Sequence, residues 1–472
     1  MYIQQFFVKG LAHSSYLLGG SDTCAIIDPR RDVELYLQTA EAMNLRITHI
    51  LETHLHADFV SGHLELAAAT GAPIYSPGDC SFPHLTPTEG QEVVLEDLRV
   101  RVLETPGHTP EHVCYVVTDT ARADEPVAVF TGDTLFVGDV GRPDLFPGRA
   151  RELASNLYSS LHNKLLALPD FCEVYPAHGA GSLCGRSISA KRTSTIGYER
   201  RYNQALQITD REDFIASLTS NMPDPPDHFS RCSTINAAGP TPVSQLPPVK
   251  PLTPAAFQSC LAEPHTIILD TRPYETFGGQ HVPGSYNIDV RGNFATFAGW
   301  LLPPDQHILL VTMTPEEAQQ AAVSLRRVGL DGVVGYLKGG TIAWAKEGMP
   351  TEHVPQVSVH ELQSLDRRVV LVDVRTPAEF EQYHIEGAVN IPLPDLRTRY
   401  KELDPHAPTL TICSTGWRSS MAASLLKQRG FVHASNVAGG MAAYAAAGYG
   451  PACPMCVIPH GPRNPRHEVL SE

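Results

Sequence analysis

The sequence feature that most constrains the fold is a triplet of polar residues, His54, His56 and Asp58. It follows an apolar run over 47–51 that is typical of a buried strand, and a helical pattern covers about 60–70. Alternate residues of an extended segment point the same way, so two imidazoles and a carboxylate aim at one point. The triplet therefore predicts a ligand-bearing turn at a strand end. The simpler alternative is three solvated polar residues in a loop.

Three later turns carry side chains of the same kind, namely His108, Asp133 and His178. Each turn directly follows a short strand-like segment that ends in Gly, Pro or Asp. In α/β folds, functional groups are commonly placed on the loops at strand ends. Because these turns fit the same centre as the first, we interpret all four as parts of one metal site.

Size and composition exclude several classes of protein. A length of 472 residues predicts about three domains, and a net charge of −15 argues against nucleic acid and anionic membrane surfaces as partners. No segment approaches the ~18 consecutive apolar residues of a membrane span, and the N-terminus lacks the layout of a secretory signal. The ten cysteines are mostly far apart, unlike a disulfide framework. We therefore expect a reducing, cytoplasmic location.

The second half of the chain repeats itself after a proline-rich stretch over 222–254, which we interpret as a semi-rigid linker. Residues 268–277 parallel 371–380, and residues 281–288 parallel 384–391. Two copies of one α/β unit are the economical interpretation. The predicted division is a first domain over 1–240, a first repeat over 241–350, a second repeat over 351–452 and a C-terminal tail over 453–472.

The ligand-bearing turns together resemble the metallo-β-lactamase superfamily over about residues 1–240. The matching residues are His54, His56, Asp58, His108, Asp133 and His178. The resemblance implies an αββα sandwich with the metal at one edge. Two-zinc hydrolases of the superfamily, such as glyoxalase II, carry histidine directly after the motif aspartate, where this chain has Phe59. Phenylalanine has no lone pair, and a two-metal site must hold both ions ~3.5–4 Å apart. We therefore expect one metal.

Within the superfamily, the resemblance narrows to the persulfide dioxygenases, whose iron ligands map onto His54, His108 and Asp133. Two imidazoles and one carboxylate on one face are typical of mononuclear non-haem Fe(II) oxygenases, and the open positions accept sulfur and dioxygen together. A closed tetrahedral zinc site leaves no such positions. The remaining motif residues would then orient ligands or waters by hydrogen bonds. They are His56, Asp58 and His178.

Two further residues near these turns are candidates for contact with the substrate. Arg142, in the element Gly141-Arg142-Pro143-Asp144, falls where relatives that bind glutathione thioesters place a cation. A fixed cation suits an anionic thiol, whereas the alternative is an Arg142–Asp144 pair that braces the loop. Cys184 is a candidate thiol that accepts or presents sulfur, and the alternative is a small buried hydrophobe.

In the second repeat, residues 413–419 resemble the active loop of rhodaneses, with Cys413 and Arg418 at the matching positions. A loop between a strand and a helix N-terminus aims backbone N–H groups inward, which favours a thiolate and a persulfide anion. Cys413 would attack a sulfane donor and carry the sulfur covalently. The alternative is an inert buried cysteine. Four residues match the structural framework of the family: Asp373, Arg375, Glu379 and His384.

The first repeat lacks this chemistry. Thr312 aligns with Cys413, and the loop after it holds two glutamates but no thiol or arginine. We therefore interpret the first repeat as a non-catalytic rhodanese-like spacer that docks the other two domains. The pair Cys453 and Cys456 is a weak signal by itself, and we assign it no specific role.

The fold expected for the whole chain is α/β and multidomain, with the αββα sandwich followed by two rhodanese-like α/β domains. This order resembles bacterial fusions of persulfide dioxygenase and rhodanese in sulfide detoxification. The resemblance implies that iron and dioxygen oxidise a low-molecular-weight persulfide, of glutathione or coenzyme A type, to sulfite. Cys413 would take sulfane sulfur from a persulfide or from thiosulfate. The coupled reactions would form thiosulfate or run in the reverse direction. It also suggests a homo-oligomer.

Two other functions remain open from the sequence. The first is a glyoxalase II-like zinc thioester hydrolase fused to a sulfurtransferase, against which Phe59 counts. The second is a sulfur-relay binding protein whose metal domain is an inert scaffold. Retention of all three predicted iron ligands argues against the second.

Overall fold

A computed structural model describes residues 1–220, 222, 225–226, 228–364 and 369–450. The predictions for the C-terminal tail, with Cys453 and Cys456, lie outside the described residues. The chain divides into two compact units. Unit 1 holds Met1–Leu246 with Arg326–Gly329, and unit 2 holds the remainder.

Unit 1 begins with a five-stranded sheet in the order β1-β2-β3-β4-β5, flanked by two helices. Its elements are β1 (Tyr2–Val8), β2 (His13–Gly19), β3 (Thr23–Ile27), α1 (Glu34–Ala42), β4 (Arg46–Leu51), α2 (His63–Thr70) and β5 (Ile74–Tyr75). Strands β2 and β3 are adjacent and antiparallel, as their apolar patterns predict.

The second sheet of unit 1 has six strands in the order β11-β10-β9-β8-β7-β6. Its elements are β6 (Glu92–Leu95), β7 (Leu98–Glu104), β8 (Val113–Asp119), β9 (Ala128–Gly132), α3 (Ala150–Ser159), β10 (Glu173–Pro176), β11 (Ser194–Thr195), α4 (Ile196–Tyr202), α5 (Arg211–Thr219) and α6 (His228–Ala238).

The two sheets face each other across a shared core, with helices on both outer faces. Alternate residues of one strand point to opposite faces, so Tyr16 and Leu18 of β2 enter the core between the sheets, while Leu17 packs with Tyr36 of α1. The second sheet follows the same rule, and its outer face packs against α3 and α5. The architecture is the αββα sandwich that the sequence predicts.

The proline-rich stretch over 222–254 is more structured than the sequence indicates. It contains helix α6 and strand β12 (Lys250–Leu252), so the prediction of a semi-rigid linker over its whole length is wrong. Proline is abundant only on either side of α6, and the residues between carry apolar side chains such as Phe229 and Cys232 that are buried. Burial of this helix face supplies the order that composition alone does not show.

Unit 2 contains both repeats. The first repeat has β12, α7 (Pro254–Leu261), β13 (Thr266–Asp270), α8 (Tyr274–Gly279), β14 (Ser285–Asn287), α9 (Phe294–Leu301), β15 (His307–Val311), α10 (Pro315–Arg327), β16 (Val333–Leu337) and α11 (Gly340–Lys346). The second has β17 (Gln356–Val357), α12 (Val359–Ser364), β18 (Val370–Asp373), α13 (Pro377–Gln382), β19 (Val389–Asn390), α14 (Leu396–Arg399), β20 (Thr409–Ile412), α15 (Trp417–Gln428), β21 (Ala434–Val437) and α16 (Gly440–Ala446).

The two repeats have the same topology. Their parallel sheets run β12-β16-β15-β13-β14 and β17-β21-β20-β18-β19, which is one strand order written twice. Each sheet carries helices, as parallel strands require crossover connections. The internal repeat predicted from the sequence is confirmed. Across the described part of the chain, no helix is both long and apolar enough to cross a membrane.

Candidate functional site

Three predicted ligands meet at the edge of the αββα sandwich. His54 follows β4, His108 lies between β7 and β8, and Asp133 follows β9. The Oδ2 atom of Asp133 lies 3.8 Å from Nε2 of His54 and 3.3 Å from Nε2 of His108. All three side chains are buried, and these three atoms have no hydrogen-bond partner. Unpartnered polar atoms are costly inside a protein, and their convergence fits a bound metal ion.

The hydrogen bonds behind the histidines fix their orientation toward this centre. Nδ1 of His108 donates to the carbonyl oxygen of Arg142 at 2.9 Å. Nδ1 of His54 lies 3.0 Å from the hydroxyl of Thr53, which in turn donates to the Asp28 carboxylate. A proton on Nδ1 satisfies both arrangements and leaves the Nε2 lone pair for a metal. Burial lowers the pKa of both ligand histidines, so both are neutral.

Asp133 is held by a charged histidine. Its Oδ1 accepts a hydrogen bond from Nδ1 of His178 at 2.7 Å, and Nε2 of His178 donates to Asp58 at 2.8 Å. Burial lowers the pKa of His178, but the two carboxylates outweigh it and raise the pKa to about 10. In return, despite burial, His178 holds the pKa of Asp133 well below its ordinary value. Asp58 and His178 thus lie behind the carboxylate of Asp133.

His56 turns away from the three ligands. Its Nε2 lies 3.1 Å from Asp28 and 3.5 Å from Glu52. Burial disfavours its charge, but these carboxylates raise the pKa of His56 well above its ordinary value. Its ring remains beside that of His54, with centroids 4.1 Å apart. His56 therefore links the metal-binding turn to a buried acidic cluster that the sequence analysis missed, since Asp28 and Glu52 lie outside the motif.

His112 is a second residue that the sequence analysis missed. Its Nε2 accepts the backbone N–H of Asp133 at 3.0 Å, and its ring stacks on His54 with centroids 4.9 Å apart. Nδ1 lies 3.0 Å from the Thr105 hydroxyl. Burial lowers the pKa of His112 to about 3. This neutral ring therefore holds the backbone of Asp133 and packs on the imidazole of His54.

Gly141 supports the same ligands by lacking a side chain. A Cβ at this position would lie 2.0 Å from the carbonyl oxygen of Asp133 and 3.0 Å from Cβ of His108. No flexible atom can move aside to relieve the first of these contacts. The loop that begins at Gly141 therefore packs directly on the backbone of Asp133.

Aromatic rings surround Phe59, which stands where two-zinc relatives carry a histidine. Phe59 is fully buried, with its ring centroid 4.0 Å from that of His13 and 4.4 Å from that of His56. His13 is also fully buried. Since Phe59 offers no lone pair, this part of the site contributes packing in place of a metal ligand.

Helix α6 closes this side of the site through Asn236, within the stretch predicted to be a linker. Its Nδ2 donates to the carbonyl oxygens of His56 and Phe59, both at 2.8 Å. Its Oδ1 accepts the N–H of Ser61 at 2.9 Å. One amide thus fixes the turn that carries the first ligand. No motif signals it, because its partners are backbone atoms about 180 residues earlier in the chain.

Arg142 and Cys184 lie near the site in arrangements that correspond to the alternative interpretations. Two nitrogens of the Arg142 guanidinium donate to Asp144 at 2.6 and 2.7 Å, and a third donates to the Leu183 carbonyl. Cys184 is buried among apolar side chains, and burial raises the pKa of its thiol well above the ordinary value. Its sulfur nevertheless lies within 4.8 Å of ligand atoms of Asp58 and His178.

The second repeat forms the cysteine loop that its sequence predicts. The Sγ atom of Cys413, at the end of β20, accepts the backbone N–H of Gly416 at 3.2 Å and the hydroxyl of Ser419 at 3.3 Å. Gly416 has φ of +99° and precedes the twelve-residue helix α15. The loop therefore places a thiol against two hydrogen-bond donors at a helix N-terminus.

Arg418 reaches this loop through an ion pair. Its guanidinium donates to both oxygens of Glu379, at 2.7 and 2.8 Å, and to the hydroxyl of Ser414 at 2.7 Å. Although burial opposes its charge, the ion pair with Glu379 raises the pKa of Arg418. The arginine is thus a fixed cation near the cysteine, and Glu379 is more than a framework residue.

The corresponding loops of the two repeats differ in their contacts, although the second repeat keeps the framework residues of the family. Arg375 donates to Asp373 at 2.6 Å, and His384 stacks on Phe380 with centroids 3.9 Å apart. In the first repeat, the hydroxyl of Thr312 donates to the Thr314 carbonyl, and the Met313 N–H is taken by the repeat's own Glu317. The polar groups of the first repeat's loop thus bond to one another, and Glu317 stands at the position that Arg418 has in the second repeat.

Comparisons with known proteins identify both parts of the chain. Residues 8–178 match the model of the metallo-beta-lactamase superfamily, and residues 253–347 and 358–447 match the rhodanese-like domain. A hydroxyacylglutathione hydrolase of Rhodospirillum rubrum is 40% identical. The matched segment covers 33% of this chain and 57% of that relative. The mitochondrial persulfide dioxygenase ETHE1 of Mus musculus is 29% identical, covering 47% of this chain and 83% of the relative.

A solved structure of a metallo-beta-lactamase from Staphylococcus aureus is 34% identical, with a TM-score of 0.64, covering 72% of this chain and 98% of that one. The chain is thus a metal-site enzyme of αββα architecture joined to sulfurtransferase-type domains. It belongs to the metallo-beta-lactamase superfamily. Its first domain has homologues among the persulfide dioxygenases, and this domain is fused to tandem rhodanese-like domains.

The role of Phe59 is testable through metal content. We expect the purified chain, saturated with zinc, to hold one ion, and Phe59→His to approach two, because the new imidazole supplies the absent ligand beside Asp58 and His178. Elemental analysis after gel filtration gives the stoichiometry. Phe59→Leu, which removes the ring without adding a nitrogen, is the control and should stay at one. Two ions in the unchanged chain would contradict the prediction.

The Glu379–Arg418 pair predicts an acid-dependent stability of the cysteine loop. Burial opposes the charge of Glu379, but Arg418 holds its pKa to about 2. Since this lies below the unfolded value, the pair contributes about 3 kcal/mol above about pH 4.5, which is lost as pH falls toward 2. Glu379→Gln should lower the free energy of opening of α15, measured by hydrogen exchange, at pH 7 but not near pH 2.

The matched control is Glu402→Gln, which removes an exposed carboxylate paired with Arg399. Exposed pairs contribute little to stability, so this variant should leave the exchange of α15 unchanged at both pH values. An equal effect of the two variants would show that Glu379 has no special role.

Proposed function

We propose that unit 1 is a mononuclear non-haem iron persulfide dioxygenase and that the second repeat is a sulfurtransferase that acts through Cys413. The observation that carries the first part is the convergence of three buried, unpartnered ligand atoms, from His54, His108 and Asp133. Two imidazoles and one carboxylate are the donor set of ferrous oxygenases. The division that we propose is 1–240, 241–350 and 351–452.

In this proposal, the substrate is a low-molecular-weight persulfide, of glutathione or coenzyme A type. The balanced reaction is RSSH + O2 + H2O → RSH + SO3²⁻ + 2H⁺. Bound ferrous iron would supply open positions at which the persulfide sulfur and dioxygen meet. The protein contributes two neutral imidazoles, a carboxylate fixed by the His178 cation, and a buried environment.

The second reaction moves sulfane sulfur. The Cys413 thiolate attacks the outer sulfur of thiosulfate, a new S–S bond forms, and sulfite leaves with the electron pair of the broken S–S bond. The single negative charge of Cys413 is retained on the outer sulfur of its persulfide. The N–H of Gly416 and the hydroxyl of Ser419 donate to Sγ of Cys413, and the Arg418 cation is fixed nearby, so all three favour negative charge in this loop.

Joining the two reactions on one chain gives them a shared intermediate. A second persulfide molecule gives its outer sulfur to Cys413 and leaves as the thiol. Sulfite, the product of the first reaction, then takes that sulfur from Cys413 in the reverse of the second reaction, so the coupling yields thiosulfate. Tethering raises the effective concentration of each site for the product of the other. The proposed role is sulfide detoxification in the cytoplasm, by a homo-oligomer.

A second candidate is a zinc hydrolase of glutathione thioesters, favoured by the 40% identity to a hydroxyacylglutathione hydrolase. Asp58, His178 and Cys184 offer three further ligand atoms within 4.8 Å of one another. Phe59 opposes this alternative, because the histidine of two-zinc relatives is absent. Zinc-dependent thioester cleavage without oxygen uptake would favour the hydrolase.

Oxygen consumption tests the dioxygenase. Iron-loaded protein should consume oxygen with glutathione persulfide and form sulfite in equal amount, and His54→Ala should lose at least about a hundredfold, because one of three metal ligands is removed. An oxygen electrode and sulfite quantification give both values. The control is His162→Ala, which changes a histidine that stacks on Tyr158 in unit 1. Uptake that is equal in wild type and His54→Ala would refute the proposal.

Trapping of a sulfur adduct tests the sulfurtransferase. After incubation with thiosulfate, intact-mass and peptide analysis should find one added sulfur atom on Cys413. Cys413→Ser should show none, because a hydroxyl does not carry sulfane sulfur. The conservative control is Cys260→Ser, a half-buried thiol in the first repeat. An adduct that survives in Cys413→Ser would place the chemistry elsewhere.

A further inference from the structure

The first repeat contributes a tyrosine to the wall of the cysteine loop in the second repeat. Tyr274, the first residue of α8, lies against Gly416. Its ring carbon Cζ and its hydroxyl are 3.0 and 3.1 Å from the position that a Cβ of Gly416 would occupy. The N–H of Gly416 lies 3.2 Å from Sγ of Cys413 on the other side. A phenol from the non-catalytic repeat is therefore in the immediate surroundings of the thiol.

Three groups act on this phenol. Burial raises the pKa of Tyr274, and the charges of Glu275 and Cys413 act in the same direction, whereas the backbone N–H of Gly439 donates to its oxygen and acts against them. Tyr274 therefore remains a protonated donor at neutral pH. Its oxygen accepts the N–H of Gly439, and its own O–H donates to the exposed carboxylate of Glu275. An anionic sulfur in the cysteine loop would compete with that carboxylate for the O–H.

The tyrosine is held in place by contacts between the two repeats. In β14, the N–H of Asn287 donates to the Ser424 hydroxyl at 3.0 Å, and its side-chain oxygen accepts from Ser420 at 2.8 Å. Both serines belong to α15, the helix that follows the cysteine loop. The guanidinium of Arg291 lies 5.2 Å from the ring centroid of Trp417. The first repeat is thus fixed against both α15 and the loop.

Tyr274 is not part of the framework that the two repeats share. Asp270 and Arg272 correspond to Asp373 and Arg375, and each pair forms the same ion pair. In this alignment Tyr274 corresponds to Pro377, which has no donor. The first repeat has no thiol at the matching position. It nevertheless places a polar group, which the second repeat lacks, at the cysteine loop of the second repeat.

We propose that Tyr274 is a substrate-contacting residue of the sulfur-transfer site, where its O–H donates a hydrogen bond to the outer sulfur of the Cys413 persulfide. This inference rests on the proposed sulfurtransferase function. When the thiolate attacks the outer sulfur of thiosulfate and sulfite leaves with the electron pair, the negative charge moves outward by one sulfur atom. The phenol stabilises that charge without giving up its proton. The first repeat thereby contributes a residue to the sulfur-transfer site.

The test compares Tyr274→Phe with Tyr336→Phe in the full-length protein. Tyr336 lies in β16, which pairs with β12 and β15 inside the first repeat, so this control loses a phenol of the same repeat. Thiosulfate serves as donor and cyanide as acceptor. Tyr274→Phe should lower kcat/KM about tenfold, the effect of one lost hydrogen bond to a charged group. It should also shorten the lifetime of the sulfur adduct on Cys413, measured by mass spectrometry, which a purely structural role would not change.

The outcomes separate the two proposals. A normal rate and adduct lifetime in Tyr274→Phe, with an active wild type, overturn the role of Tyr274 alone. A wild type that forms no adduct on Cys413 overturns the sulfurtransferase function and this inference with it. A selective loss in Tyr274→Phe, with Tyr336→Phe unchanged, supports both.

Discussion

The ion pair between Asp133 and His178 is the interaction on which the candidate metal centre depends. A buried carboxylate is costly unless it is paired and hydrogen-bonded, and His178 supplies both a charge and a hydrogen bond of 2.7 Å. Asp58 supports the imidazolium from its other side. With one oxygen of Asp133 committed in this way, the other is directed at the ligand histidines. The ligand geometry is therefore set by side chains that do not touch the centre themselves.

The sequence predicts the fold well, because the fold follows local patterns. Local patterns also mark the candidate site residues, whose roles stay predictions. The His54, His108 and Asp133 turns and the cysteine loop each follow a recognisable strand, and alternation within strands predicts the layers. The supporting residues escaped prediction for a physical reason. Asn236 binds backbone carbonyls, which leave no mark in sequence, and His112 acts through the Asp133 N–H. Proline composition concealed α6, whose order comes from burial.

The two proposed centres solve opposite electrostatic problems. In unit 1, burial keeps the ligand imidazoles neutral, so that their lone pairs remain available, and the charge is confined to carboxylates and their histidine partners. In the second repeat, backbone and hydroxyl donors with the Arg418 cation gather around a sulfur atom that must bear negative charge. The two proposed chemistries therefore rest on different local surroundings, neutral buried rings in one and hydrogen-bond donors in the other.

Gly141 shows how little variation the metal-binding edge can accept. Even the smallest side chain there would overlap the carbonyl oxygen of Asp133, and the same displacement would reach the ring of His108. One methyl group would thus shift two of the three ligands, although neither ligand is itself altered. Inherited or engineered variation in this domain is consequently restricted at a residue with no chemistry of its own, and a search for inactivating changes should begin with the backbone beneath the ligands.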